Sequence, residues 1–299
     1  MWQQLLQQII QGNTKALARS ISLVENEASG YEEFLQQLPA NNATKIIGIT
    51  GPPGAGKSTL TDALIGELIK ENKSVGVLCI DPSSPFNFGS LLGDRIRMSE
   101  WYNNQNVFIR SLATHGSLGG LHPKIIEITD VMKAAGFDYI IIETVGVGQS
   151  EVEIAGLADV TVVVLVPEGG DVIQTMKAGI MEIADIFVVN KSDRPDADMF
   201  VNNLKMMLAP AYKNDDNIPI IKTIASEKKG IEELKKEIVN YKEKKPSEKK
   251  YMMLAEKAWL LIQNKRMIDV SKPQLKQQIE EREKAGSDFN FYKFIRKYF

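Results

Sequence analysis

Between residues 45 and 223 the chain repeats one pattern, a short run rich in Val and Ile followed by a longer amphipathic or charged stretch. The runs are KIIGIT (45–50), VGVLCID (75–81), VFIRSLA (107–113), DYIIIE (138–143), VTVVVLV (160–166), IFVVN (186–190) and IPIIKT (218–223). Apolar runs of this length are expected to be strands buried on both faces. Strands separated by helix-length segments pair in parallel through crossovers. The expected fold class is therefore α/β, a mainly parallel, doubly wound sheet covered by helices. Ligands of such sheets bind beyond the carboxyl ends of the strands, so those ends are where chemistry is to be sought.

The flanks read as helices. Leu5, Leu6, Ile9 and Ile10, then Leu17, Ile21 and Val24, recur at helical spacing, and GNT (12–14) divides them into two helices. After Pro246 the apolar positions Met253, Leu254, Trp259, Leu261 and Ile262, then Phe289, Phe291, Phe294 and Ile295, imply further helices. The expected organisation is a helical extension at 1–40, an α/β domain at 41–245 and a helical arm at 246–299.

Composition narrows the partners. A net charge of -2 over 299 residues gives no electrostatic reason to expect nucleic acid. The Lys-rich stretch YKEKKPSEKK (241–250) also carries acids and reads as a solvated linker or helix face. The single cysteine, Cys79, cannot close an internal disulfide. With His115 and His122, read as loop residues, it is a poor basis for a zinc or nickel cluster. No apolar run approaches 18 residues and the start lacks a signal-peptide pattern, so no membrane association and a cytoplasmic setting are expected.

The first strand runs directly into GPPGAGKST: Gly51, Pro52, Pro53, Gly54, Ala55, Gly56, Lys57, Ser58 and Thr59. This satisfies G-x-x-x-x-G-K-[ST] in the strand–loop–helix context that makes the pattern a phosphate-binding loop. Backbone amides and the helix amino terminus would hold phosphates, Lys57 would neutralise the β and γ groups, and the Ser58 hydroxyl would reach Mg²⁺. A glycine-rich turn with an incidental lysine is the plainer alternative.

The sixth run delivers Asn190, Lys191, Ser192 and Asp193. A carboxylate at Asp193 can accept from both N1–H and the exocyclic amine of guanine, a donor pair adenine lacks. Asn-Lys-x-Asp also serves as a helix cap, so its place after a late strand carries the reading. In TIAS (223–226), Ala225 and Ser226 could wall the base pocket through backbone amides, or the stretch is a plain strand-to-helix turn.

A lone carboxylate, Glu143, ends the buried run YIIIE, and Gly146 follows three residues later. The pair matches an acid that reaches Mg²⁺ and a glycine amide that senses the γ-phosphate. Alternatively Glu143 caps the helix starting near Glu151. Asp81 and Asp94 are two further metal or switch candidates. Asp81 before Pro82 can equally start a turn, and Asp94 can pair with Arg95 or Arg97. In PEGGDVIQTMKAG (167–179), Gly169 and Gly170 could hinge a nucleotide-sensing loop. Lys177 there is either a phosphate or partner contact or an ordinary exposed lysine.

GPPGAGKSTL, IDPSSPF, GDRIRM, IRSLATHGSLGGL, ETVGVGQSE, NKSD and ALARSISLVEN together resemble the MeaB/ArgK family, over roughly residues 14–240. Its members are GTPases that act as chaperones for adenosylcobalamin-dependent methylmalonyl-CoA mutase. The resemblance implies a P-loop GTPase of the SIMIBI branch that binds GTP/GDP with Mg²⁺ and forms a homodimer through its carboxyl-terminal arm. The partner implied is an acyl-CoA mutase whose cobalamin loading is gated by nucleotide state. By the same resemblance, Lys57, Ser58, Asp81, Asp94 and Glu143 fall on phosphate, magnesium and switch positions, and Lys177 falls in a third switch segment tied to the mutase. Two rivals remain at this point: a nickel-delivery GTPase and a P-loop kinase that passes phosphate to an acceptor other than water.

Overall fold

The computed structural model describes residues 1–41, 43–81, 98–114, 121–146, 150–167, 178–208, 218–241, 248–267, 270–284 and 290–298. These divide into two compact units, Met1–Lys250 and Tyr251–Phe299.

The first unit is built on β1 (Lys45–Thr50), β2 (Val75–Asp81), β3 (Val107–Ala113), β4 (Tyr139–Glu143), β5 (Val160–Leu165), β6 (Ile186–Val189) and β7 (Ile220–Lys222). They form one seven-stranded sheet in the order β3-β2-β4-β1-β5-β6-β7. Every pairing is parallel, so the expected doubly wound sheet is present. Strands β2, β4, β5 and β6 are buried along their whole length. That explains their continuous Val/Ile character: neither face meets water, so neither face selects polar residues.

Alternate residues of each strand feed two cores. Val162, Val164, Ile186 and Val188 pack with Leu60 and Leu64 of α4 (Lys57–Ile69) and Leu234 of α9 (Ile231–Asn240). Val163, Leu165, Phe187 and Val189 face the opposite side, against Ala155 of α6 (Ser150–Leu157) and Phe200 of α8 (Ala197–Leu208). On this second side α5 (Ile125–Ala134) packs on β4 and α7 (Ala178–Ile183) on α6.

At the amino edge of the sheet one device recurs three times. Asp138, before β4, accepts from the Ser74 amide at 2.8 Å. Asp159, before β5, accepts from the Ile46 amide at 2.7 Å. Asp185, before β6, accepts from the Thr161 amide at 2.7 Å. Each carboxylate satisfies a leading strand amide that the ladder leaves over. The acids at this edge thus hold the sheet, whereas those at the carboxyl edge have other partners.

The break at GNT is present: α1 (Trp2–Ile10) ends there and Asn13 caps α2 (Thr14–Glu25), its side chain accepting from the Ala16 amide at 3.0 Å. A third, six-residue helix, α3 (Tyr31–Gln36), follows Gly30. Helical periodicity does not reveal so short an element. It is held because the Trp2 indole donates to the Ser29 carbonyl at 2.8 Å and stacks on Phe34 at 4.7 Å. Helices α2 and α3 rest on α5. Arg110 of β3 ties down α2, donating to Ser22 Oγ at 3.0 Å and Glu25 Oε2 at 2.7 Å. His122 is buried beside Glu25 and accepts from the Lys124 amide at 3.0 Å.

In the second unit, α10 (Glu248–Arg266, entered from the first unit), α11 (Lys272–Lys284) and α12 (Phe291–Ile295) match the expected helices. Phe294 is buried under the Arg282 guanidinium, 5.3 Å from its ring. Trp259, Leu260 and Ile262 of α10 are exposed by half or more. No described helix is long and apolar enough to cross a membrane.

Candidate nucleotide site

The phosphate-loop sequence lies where β1 ends and α4 begins. Gly56 precedes the helix with φ at +88°, and a Cβ there would sit 2.4 Å from Asn190 Nδ2. Glycine is therefore required both for the turn and for the close approach of the β6 loop. Lys57 opens α4, buried, and its ammonium donates to the carbonyls of Gly51 at 2.9 Å and Pro52 at 3.1 Å. The amine thus curls back over the turn between β1 and α4.

Glu143 answers the question of a charge at the end of a buried strand. Register pairs it with Ile49 of β1 on one side and Cys79 of β2 on the other. It is 4% exposed, and Oε1 accepts from Ser58 Oγ at 2.6 Å while Oε2 accepts from Thr61 Oγ1 at 3.0 Å. Both contacts run to α4, so the two residues singled out separately for a metal meet each other. A hydroxyl and a carboxylate form a hard oxygen donor set, the chemistry Mg²⁺ takes. Asp81 is buried two residues beyond Cys79, so by strand alternation it projects from the same face as Glu143.

Gly146 closes this corner with φ at +83°. An added Cβ would lie 2.4 Å from the Gly51 carbonyl oxygen and 2.5 Å from Lys57 Nζ. Only a residue without a side chain lets this turn lie against the phosphate loop.

The base end is built around Asn190, 2% exposed at the end of β6. Its Nδ2 donates to the Ala55 carbonyl at 2.9 Å, and its Oδ1 accepts from Thr223 Oγ1 at 3.0 Å and the Ala225 amide at 3.1 Å. Lys191 adopts φ of +55° and the Ser192 amide donates to the Thr223 carbonyl at 3.0 Å, folding NKSD into a tight turn. A cavity of about 240 Å³ opens beside it, bounded by Gly56, Thr59, Asn190, Lys191 and Asp193 on one side and by Ala225 and Ser226 on the other. Asp193 is exposed to solvent there. Lys229 lies in its field; the hydrogen bond its ammonium donates to the Glu227 carboxylate, aided by the charges of Glu227 and Asp193, holds its pKa above the usual value.

With this geometry in view, comparison with known proteins decides the family. The sequence model described as "Methylmalonyl Co-A mutase-associated GTPase MeaB" matches residues 17–272. The chain belongs to the MeaB family. A Pyrococcus horikoshii relative is 47% identical over 244 residues, covering 80% of this chain and 77% of its own. The Escherichia coli GTPase ArgK is 38% identical over 248 residues, 79% of this chain and 75% of its own. Among solved structures, one described as a LAO/AO transport system kinase aligns with a TM-score of 0.68 and 26% identity, covering 99% of this chain and 95% of its own.

In this MeaB-family chain the phosphate loop, Ser58, Asp81, Glu143 and Gly146 gather at one corner, and the NKSD turn with Ala225 and Ser226 forms an adjoining wall. Asp94, Lys177 and His115 lie outside the described residues. The Ala225 amide expected to face a base is bonded to Asn190. Two residues of the site lie outside the motifs read from the sequence. Arg194, which directly follows Asp193, lines the cavity, as does Ile224 of the TIAS stretch. Thr61 stands one helical turn after Lys57 on the same face, but its partner, Glu143, is 82 residues away.

Proposed function

We propose that this MeaB-family protein binds GTP and GDP with Mg²⁺, hydrolyses GTP to GDP and phosphate, and works as a nucleotide-gated chaperone of an adenosylcobalamin-dependent acyl-CoA mutase. Methylmalonyl-CoA mutase, named in the family description, is the first candidate partner. One observation carries the nucleotide chemistry: Glu143, on a buried strand end, bonded to Ser58 directly after the phosphate-loop lysine.

The residues divide the work. Loop amides at the start of α4 receive phosphate oxygens, and Lys57 swings from the Gly51 and Pro52 carbonyls onto the β and γ groups. Ser58, Glu143 and Asp81 supply oxygen ligands; bound Mg²⁺ would offset the charge that develops on the phosphates during transfer to water. The Gly146 amide would sense the γ-phosphate; the close approach of Gly146 to Gly51 and Lys57 supports that role. Asp193 selects guanine, while Asn190 holds the base turn in register with the loop. Asp94 and Lys177 complete the assignment as switch residues by family resemblance.

The half-exposed Trp259, Leu260 and Ile262 support a homodimer through the carboxyl-terminal arm, because such residues on one helix favour burial against a partner. The test is GTP turnover with and without purified methylmalonyl-CoA mutase, following inorganic phosphate. Slow release accelerated by the mutase supports the reading. Equal rates remove the mutase, and phosphate appearing on a protein or metabolite instead of in water replaces hydrolysis with a kinase reaction.

A further inference from the structure

Thr61 is a residue whose chemistry the phosphate-loop motif does not explain. It lies four residues after Lys57 on α4, fully buried beside Leu60 and Leu64 of the sheet-facing core. An alkyl side chain would serve a purely apolar position better, since a buried hydroxyl costs free energy unless bonded and Thr is a modest helix former. Its hydroxyl has two acceptors, Glu143 Oε2 at 3.0 Å and the Lys57 carbonyl at 3.0 Å. It carries one proton, so it can donate to one of them at a time.

We propose that Thr61 is a positioning residue for the metal corner, holding the Glu143 carboxylate so that Oε1 faces Ser58. The inference rests on the magnesium reading given above. The two carboxylate oxygens have separate duties in this geometry: Oε1 meets the Ser58 hydroxyl and Oε2 meets Thr61. Loss of the donor at Oε2 removes one of the two α4 hydroxyl contacts that fix the carboxylate's last torsion, which is soft. Outer partners of this kind orient metal-ligating carboxylates and set affinity.

The test uses the full chain in four forms: wild type, Thr61→Val, Thr61→Ala and Thr61→Ser. The readouts are the Mg²⁺ dependence of GDP release, followed with a fluorescent GDP, and Mn²⁺ binding to the GDP complex by electron paramagnetic resonance. Valine and alanine, which differ in size but both lack the hydroxyl, should each raise the Mg²⁺ concentration needed to slow GDP release by about 10–100-fold. GDP affinity without metal should stay at the wild-type value, and serine should restore the wild-type response. A Thr61→Ser protein as defective as Thr61→Val, or Val and Ala forms with the wild-type Mg²⁺ response, would overturn the role of Thr61 alone. A wild-type protein whose GDP release ignores Mg²⁺ would overturn the magnesium reading, and this inference with it.

Discussion

The Asn190 amide donates to the Ala55 carbonyl across 2.9 Å, joining the turn after β6 to the phosphate loop after β1. Through the same side chain the Thr223 hydroxyl and the Ala225 amide are drawn in, so one buried amide sets the spacing between base wall and phosphate cradle. Replacing it with alanine leaves a buried carbonyl, hydroxyl and amide without this partner. Asn190→Ala should lower unfolding free energy by about 1–3 kcal/mol, measured by denaturant titration. It should also weaken GDP and GTP binding together, since the damage precedes any γ-phosphate contact.

Glu143 makes a contrasting prediction. Its carboxylate contacts Ser58 and Thr61 of α4, on the metal side. Glu143→Ala should therefore depress Mg²⁺-dependent hydrolysis much more than Mg²⁺-free GDP binding, read by phosphate release and by nucleotide titration. A parallel fall in both would return Glu143 to a helix-capping or scaffold role.

Gly146→Ala is a steric test. The added methyl would press within 2.5 Å of Lys57 Nζ, on a backbone whose positive φ already disfavours a side chain. A displacement of about 1 Å at reacting groups can cost on the order of 100-fold in rate. Hydrolysis should fall by about that factor while the circular dichroism spectrum of the sheet and helices is retained.

These predictions show how differently the parts of the molecule were legible. The strands were readable because β-branched runs buried on both faces have few other solutions, and the phosphate loop because glycine and lysine spacing is dictated by backbone approach to phosphate. Glu143 stood out as a charge ending an apolar run, although its partner did not. Ser58 and Glu143 are 85 residues apart, and only the placement of β4 beside β1 brings them together. Thr61 was hidden for the same reason: a threonine within a helix gives no hint of a carboxylate on the strand beneath it. Asn190 was read as part of a base motif, yet most of its bonding reaches the phosphate loop and the β7 turn. Helix α3 was missed because six residues hold too little periodicity, and its anchor, Trp2, lies at the far end of the amino-terminal segment.

The amino edge yields a pH prediction. Burial pushes the Asp138 carboxyl up, but the Ser74 amide and hydroxyl, with Lys73 nearby, outweigh it and hold its pKa below the ordinary value. A depressed carboxylate contributes stability that is present above the unfolded-state pKa and is lost as pH falls through the folded-state pKa. The stability lost between about pH 5 and pH 3 should therefore be smaller in Asp138→Asn than in wild type, with the variant less stable at pH 7. Thermal melts across that range check it. The side chain is 41% exposed, so solvent screening keeps the difference modest.

The central claim is that Asp193 and the Ser58–Glu143 corner together hold a guanine nucleotide with its magnesium. Isothermal titration calorimetry of the full chain with GTP, GDP and ATP, each with Mg²⁺, tests it most directly. GTP and GDP should bind, ATP should not compete with them, and Asp193→Ala should abolish the preference. Preference for ATP, or no retained nucleotide of either kind, would contradict the account.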